Sequence, residues 1–393
     1  MFTATKDKAL LTTTTGALPR PSWYTENLRG IPLAQGFSRL AYREQHFDCL
    51  ACHVAAQHRA GIDIFVDGDT RLDDDIAGRA WVSYVTERTT GIGMPQVQVP
   101  PANFMADKGP GDLMWEVIET RMTPPVIGKI GAANLQLDRA YKAIAPMTDR
   151  PVKIGSISAQ ILALMLTNQH YKDRLDLLMD LSAVLNKEYH ALINAGAPIV
   201  QIEEPAIHQM VNDPNQKIKP EQWVEAFNIE VKGLRNKCEV WCHTCWGSPA
   251  AQRVASKDQS YKVALPYFDQ LDVDVITVEG AFNRGMDLEH FGKMISKNKK
   301  IALGVISHRT LQIERPEEIA DLINYIEPER LILTSDCGFG RQSMSRMHAF
   351  YKMVALTRGT NIVRKEVGLP EAYIPVTDQK LSMVPLTKLM SNL

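Results

Sequence analysis

Short apolar runs rich in β-branched residues recur along the chain, and amphipathic stretches separate them. The runs predict strands at Thr12–Thr15, Ile62–Val66, Val152–Ser156, Ile199–Glu203, Glu239–His243, Val275–Glu279, Ile301–Ile306 and Leu331–Ser335. In Ile62–Val66 and Ile301–Ile306 apolarity is near-continuous instead of alternating, as in a parallel-sheet strand covered on both faces. Eight such strands with helices between them predict an α/β fold, a closed (β/α)8 TIM barrel.

Period and punctuation predict the helices. Arg174–Ala195 carries Leu175, Leu178, Leu181, Leu185, Tyr189 and Leu192 at three- and four-residue spacing and stops at Gly196. Pro316–Ile326 opens with proline and two glutamates, which suit the positive end of a helix, and aligns Ile319, Leu322, Ile323 and Ile326. A third helical stretch, Leu40–Ala60, leads into the second strand. The second and third strands are much further apart in sequence than the others, and Gly91–Pro125 between them is dense in Gly and Pro. An inserted excursion over about 80–150 is therefore expected, not a second domain. The chain, 1–393, then forms one barrel domain, and a surface tail over about 370–393 offers a contact to a neighbour, as in a homo-oligomer.

Composition narrows the partners. The 393 residues carry 44 Lys+Arg against 45 Asp+Glu, a net charge of −1, so nothing electrostatic favours nucleic acid or an anionic membrane. The longest apolar run, Ile157–Leu166, is interrupted by Ser158 and Gln160 and falls short of the ~18 residues that span a bilayer. Met1–Thr15 has only Ala9, Leu10 and Leu11 as an apolar stretch, too little for a secretory signal, and a cytoplasmic location is expected. Six cysteines are too sparse for a disulfide scaffold, so clustering among them points to metal or redox chemistry.

Placing the unusual residues on the strands concentrates the chemistry. His243 and Cys245 fall at the end of the fifth strand, Glu279 ends the sixth, and Cys337 lies just beyond the eighth. C-terminal strand ends form the catalytic rim of a barrel. Two thiolates, an imidazole and a carboxylate are a donor set for zinc, whereas magnesium or calcium takes oxygen. Cys242 alternates away from His243 and is left out. Asp67-Gly68-Asp69 and Glu203-Glu204-Pro205 close the second and fourth strands and put acids on the same rim, where they could hold a cationic substrate group. His308 follows the seventh strand, in reach of a leaving group that needs a proton. Cys49-Leu50-Ala51-Cys52-His53 matches a haem-attachment pattern, but it falls inside a predicted helix and no export signal accompanies it.

Several segments together resemble the catalytic domain of cobalamin-independent methionine synthase: Thr13-Thr14-Thr15-Gly16-Ala17-Leu18-Pro19, Gly61-Ile62-Asp63 through Gly68-Asp69, Gln201-Ile202-Glu203-Glu204-Pro205, His243-Thr244-Cys245, Glu279, and Asp336-Cys337-Gly338. The resemblance runs from about Thr12 to Arg364 and implies a (β/α)8 barrel with zinc on His243, Cys245, Glu279 and Cys337. It implies methyl or alkyl transfer to a small thiol, homocysteine first among them, with Gly16, Ala17, Asp69 and Glu203 around the substrate. Ala17 stands where the family usually has Ser, and Asp69 and Glu203 exchange Glu and Asp at the two positions that grip the homocysteine amine. The segment Ser156–Leu166 has no aromatic residue where the synthases face a pterin. The chain is similar to half-length members, which include epoxyalkane:coenzyme M transferases. That alternative calls for arginines, such as Arg20, Arg71, Arg309 or Arg341, to meet a sulfonate. A non-catalytic zinc staple is the remaining alternative.

Overall fold

A computed structural model describes residues 4–73, 80–93, 96–97, 122–211, 213, 216–247, 259–282, 284–323, 326–340 and 344–378. Eight strands form one parallel sheet: β1 (Leu11–Thr12), β2 (Phe65–Val66), β3 (Val152–Ile157), β4 (Ile199–Glu203), β5 (Glu239–His243), β6 (Val275–Val278), β7 (Lys300–Ile306) and β8 (Leu331–Ser335). Each strand from β2 to β8 pairs with the next, and β8 returns to β1. The barrel closes where Thr12 O accepts Ile64 N at 3.0 Å and Thr13 Oγ1 donates to Ile64 O at 2.9 Å.

The predicted barrel is therefore present, and its strands differ from expectation chiefly at this seam. Asp63 Oδ2 accepts Thr12 N at 2.8 Å and Thr12 Oγ1 at 2.9 Å, so side chains make bonds that a longer ladder would make. β1 and β2 are short for that reason.

Helix α1 (Leu40–Arg59) and helix α2 (Arg174–Asn194) match their predictions within a residue or two. Asp173 caps α2 by accepting Leu175 N at 2.9 Å, and Gly196, at φ +98°, follows its end. Helix α3 (Pro316–Asp321) is shorter than the apolar spacing suggests. Leu322 and Ile323 already bond to carbonyls three residues back, which tightens and ends the helix. Most of Gly91–Pro125, and the tail beyond 378, lie outside the described residues. Trp81, Val82, Val85, Val126 and Ile130, from the described part of the excursion, join the hydrophobic layer between sheet and helices.

A second, smaller cluster fills the barrel interior: Ala4, Ile64, Ile199, Trp241, Val275, Ala302 and Ile332. It forms a floor beneath the C-terminal strand ends. Among the described residues no helix is long and apolar enough to cross a membrane.

Candidate metal centre

Strand alternation decides what faces inward at the end of β5. His243 stands level with Glu203 of β4 and Thr277 of β6, while Cys242 joins the hydrophobic layer under the helices. Past the strand, Thr244 donates its backbone N–H (2.9 Å) and its hydroxyl (2.8 Å) to Thr277 O, which pins the turn carrying Cys245.

Here one donor atom from each of Glu204, His243, Cys245 and Cys337 lies within 4.8 Å of the others, and all four residues are buried. Cys245 Sγ is 3.7 Å from Cys337 Sγ and donates to Glu204 Oε1 at 3.1 Å. Both ring nitrogens of His243 are buried without a hydrogen-bond partner. Leaving such groups unsatisfied costs about 1–3 kcal/mol each, so the ring is positioned for a ligand that the protein does not itself supply. Two sulfurs on a tetrahedral zinc, at about 2.3 Å from it, stand about 3.8 Å apart, close to the spacing observed. Burial pushes the Cys245 thiol well up, and Cys337 beside it pushes further; a bound cation reverses that preference. The donor set fits zinc.

Glu279, just past β6, lies outside this foursome. It is buried, and its carboxylate pairs with the guanidinium of Arg309, which in turn sits 3.7 Å from the Phe282 ring centroid. Burial and then the neighbouring Asp336 push Glu279 well up, against the pull of Arg309. Asp336 accepts the backbone N–H groups of Gly280 (2.9 Å), Ala281 (3.0 Å) and Phe282 (3.1 Å). Burial nonetheless raises it to about 7.

A second group of side chains converges at the same strand ends. A methyl group on Gly16 would stand 3.1 Å from Glu203 Oε1 and 3.4 Å from Asp69 Oδ2, so the two acids flank this turn, whose φ of +53° suits glycine. A side chain at Gly155 would come within 2.3 Å of the same Glu203 oxygen. Ala17 O accepts Phe339 N (2.8 Å) and Gly340 N (2.9 Å), tying the Gly16–Ala17 turn to the loop that carries Cys337. Arg71 Nη1 bridges Asp67 and Asp69, at 3.0 Å from each. Glu203 accepts Gln201 Nε2 at 3.0 Å and Trp81 Nε1 at 2.8 Å. Below them Lys153 Nζ is buried without a hydrogen-bond partner, 4.7 Å from the Trp241 ring centroid. Burial lowers it to about 7, with Glu203 and Asp69 opposing. His308 is buried past β7, its Nε2 3.4 Å from Gly247 O.

Thus His243, Cys245 and Cys337 are brought together, Glu279 pairs with Arg309 within electrostatic reach of both cysteines, and Gly16, Asp69 and Glu203 converge. Sequence reasoning put Glu204 on the rim without singling it out for metal, and it passed over Trp81 and Lys153. Lys153 did leave a signal, as the one charged residue in β3. Trp81 left none, since it arrives from the excursion. Cys49 and His53 lie buried within α1, their Sγ and Nε2 3.7 Å apart, and burial pushes the Cys49 thiol up to about 12.

Fold and donor set define a class: an α/β barrel with a soft-metal pocket at its catalytic rim. The model of the family "Cobalamin-independent synthase, Catalytic domain" matches residues 110–358, more than half the chain, and the chain belongs to that family. It is 29% identical over 365 residues to methionine synthase of Sulfurisphaera tokodaii, covering 91% of this chain and 94% of that one. The methionine synthase of Saccharolobus solfataricus is 28% identical, with 91% and 96% covered. Among solved structures, the B12-independent methionine synthase of Shewanella sp. W3-18-1, in complex with selenomethionine, shares the fold. Its TM-score is 0.72 at 23% identity, covering 91% of this chain and 99% of that one.

Proposed function

We propose that the chain is a zinc-dependent thiol S-alkyltransferase that moves a methyl group to homocysteine. The observation that carries the reading is His243, buried with both nitrogens idle beside two cysteine sulfurs and a carboxylate. His243, Cys245 and Cys337 would hold the ion together with a rim carboxylate, Glu279 by the resemblance or Glu204 by proximity. A thiol titrates near pH 8.5, and zinc, when bound, would favour the thiolate and fix its position.

The protein's own groups do the rest. Asp69 and Glu203 face the space beside Gly16 and receive the substrate ammonium. The Gly16–Ala17 turn lets substrate approach the backbone closely. His308 delivers a proton to the group that leaves the alkyl donor. Arg71 is engaged by two acids and Arg309 by Glu279, which favours an aminothiol over a sulfonate-bearing acceptor such as coenzyme M.

Elemental analysis should find about one zinc per chain, lost in Cys245→Ser and Cys337→Ser. Calorimetric titration with homocysteine should release a proton, and coenzyme M should bind more weakly. Full zinc occupancy in both variants would remove the reading, and tighter binding of coenzyme M would turn it toward epoxide chemistry.

A further inference from the structure

We propose that Lys153 is a tethered counter-ion of the acid pair, charged against Asp69 and Glu203 in the empty site and discharged when a substrate ammonium takes its place. This rests on the reading that the two acids receive that ammonium, and it sets a second cation in competition for them.

Strand alternation puts Lys153 and Gly155 on the same inward-facing row of β3, two residues apart. Because Gly155 has no side chain, the Glu203 carboxylate lies over it, where a β-carbon would stand 2.3 Å from Oε1. That oxygen is also 3.1 Å from the place of a β-carbon on Gly16. Glu203 therefore lies between the Gly16 turn and the row that Lys153 opens. Its hydrogen bonds come from uncharged donors, Gln201 Nε2 and Trp81 Nε1, which leave its charge unbalanced.

The lysine has little else to hold its charge. Nζ has no hydrogen-bond partner, and the Trp241 ring, 4.7 Å away, gives a cation modest support. Glu203 and Asp69 are the charges that favour its protonated form against burial. Around them, Arg71 already engages Asp69, and His243 stands level with Glu203 on β5. Glu239, at the start of β5, is taken by Thr5 N and Trp241 Nε1. An ammonium bound at the two acids cancels negative charge and adds a positive one in a poorly screened site. An N–H bond of Lys153 then breaks, the electron pair stays on Nζ, and the proton passes to the buffer.

Methionine carries the ammonium but no thiol proton, so it isolates the effect. Calorimetric titration of the full chain with methionine, zinc supplied, in buffers of different ionisation enthalpy counts the protons released. At pH 6 wild type should release about one proton per methionine bound, and Lys153→Met none. The amine-free analogue 4-(methylthio)butanoate should release none from either. Lys153→Met should also bind methionine about tenfold tighter than wild type at pH 6 and within about twofold of it at pH 8, a pH-dependent gain that structural damage cannot produce. Absence of proton release from wild type, release that persists in Lys153→Met, or an affinity ratio that does not change with pH would overturn the proposal. Methionine binding that ignores both Asp69→Asn and Glu203→Gln would instead remove the ammonium reading beneath it.

Discussion

At the floor of the barrel Ile64, Ile199, Trp241, Val275, Ala302 and Ile332 pack against one another, and several polar groups beneath them are hydrogen-bonded. Glu239 accepts Thr5 N at 2.6 Å and Trp241 Nε1 at 3.1 Å, and Lys300 Nζ donates to Thr5 O at 2.6 Å. The rim of the same strands breaks most of these rules. There His243 has no partner, two thiols face each other, Glu279 crowds Asp336, and Asp69 and Glu204 sit at φ +52° and +59°. Each departure costs stability in the free chain, and on the proposed reading a cation or an ammonium would offset part of that cost. The floor carries the fold and the rim carries the chemistry.

The sharpest way to break this contrast is to injure both ends alike. Trp241→Ala should lower unfolding stability by about 3–5 kcal/mol, because it empties a fully enclosed site. Metal-free Cys337→Ser should stay within about 1 kcal/mol of wild type. Denaturant unfolding of both, without metal, measures the difference. Comparable losses would mean that the rim holds the barrel together, as a zinc staple would.

Lys153 stands between the two regions, and its protonation reports on the boundary. Its folded pKa, about 7, lies below the ordinary 10.5, so between those values the unfolded chain binds more protons and folding stability contributed by this group rises with pH. Lys153→Met should therefore stabilise the chain at pH 7 by about 2 kcal/mol and flatten that rise between pH 7 and 10. An unchanged slope in urea midpoints across that range would show that Lys153 stays charged, held by Glu203 and Asp69.

On the substrate side, Asp69→Asn and Glu203→Gln should each weaken homocysteine about tenfold to a hundredfold, the worth of a charge-assisted bond in a partly dry site. Zinc content, and binding of a thiol without the amine, should hardly move. If homocysteine and coenzyme M respond alike, the two acids are structural and the preference for an aminothiol loses its physical basis.

How much of this was legible follows from where the information lies. Six of the barrel strands were read nearly whole, because burial on both faces writes long apolar runs into the chain. β1 and β2 were read too long, because the Asp63 and Thr12 bonds that replace their ladder leave no trace in hydropathy. His243, Cys245 and Cys337 could be placed on one rim since each ends or closely follows a strand. That Glu204 joins the cluster and that Glu279 pairs with Arg309 could not be read, because both turn on contacts between loops far apart in sequence. Trp81 was out of reach for a similar reason: only the folded excursion brings its indole to Glu203.

The smallest predicted effect tests the contrast most directly. Glu204 is strained for its residue type, whereas asparagine enters the left-handed region more readily and keeps a polar group near Cys245. Metal-free Glu204→Asn should thus be as stable as wild type or up to about 1 kcal/mol more stable, even though it gives up the hydrogen bond from Cys245. With zinc added the order should reverse, since ligand binding stabilises only in proportion to affinity and the variant binds more weakly. Paired thermal unfolding curves with and without zinc decide it. A metal-free variant less stable by 2 kcal/mol or more would mean that Glu204 supports the fold as the floor residues do, and the division between the two ends of the barrel would not hold at the residue where it is drawn most sharply.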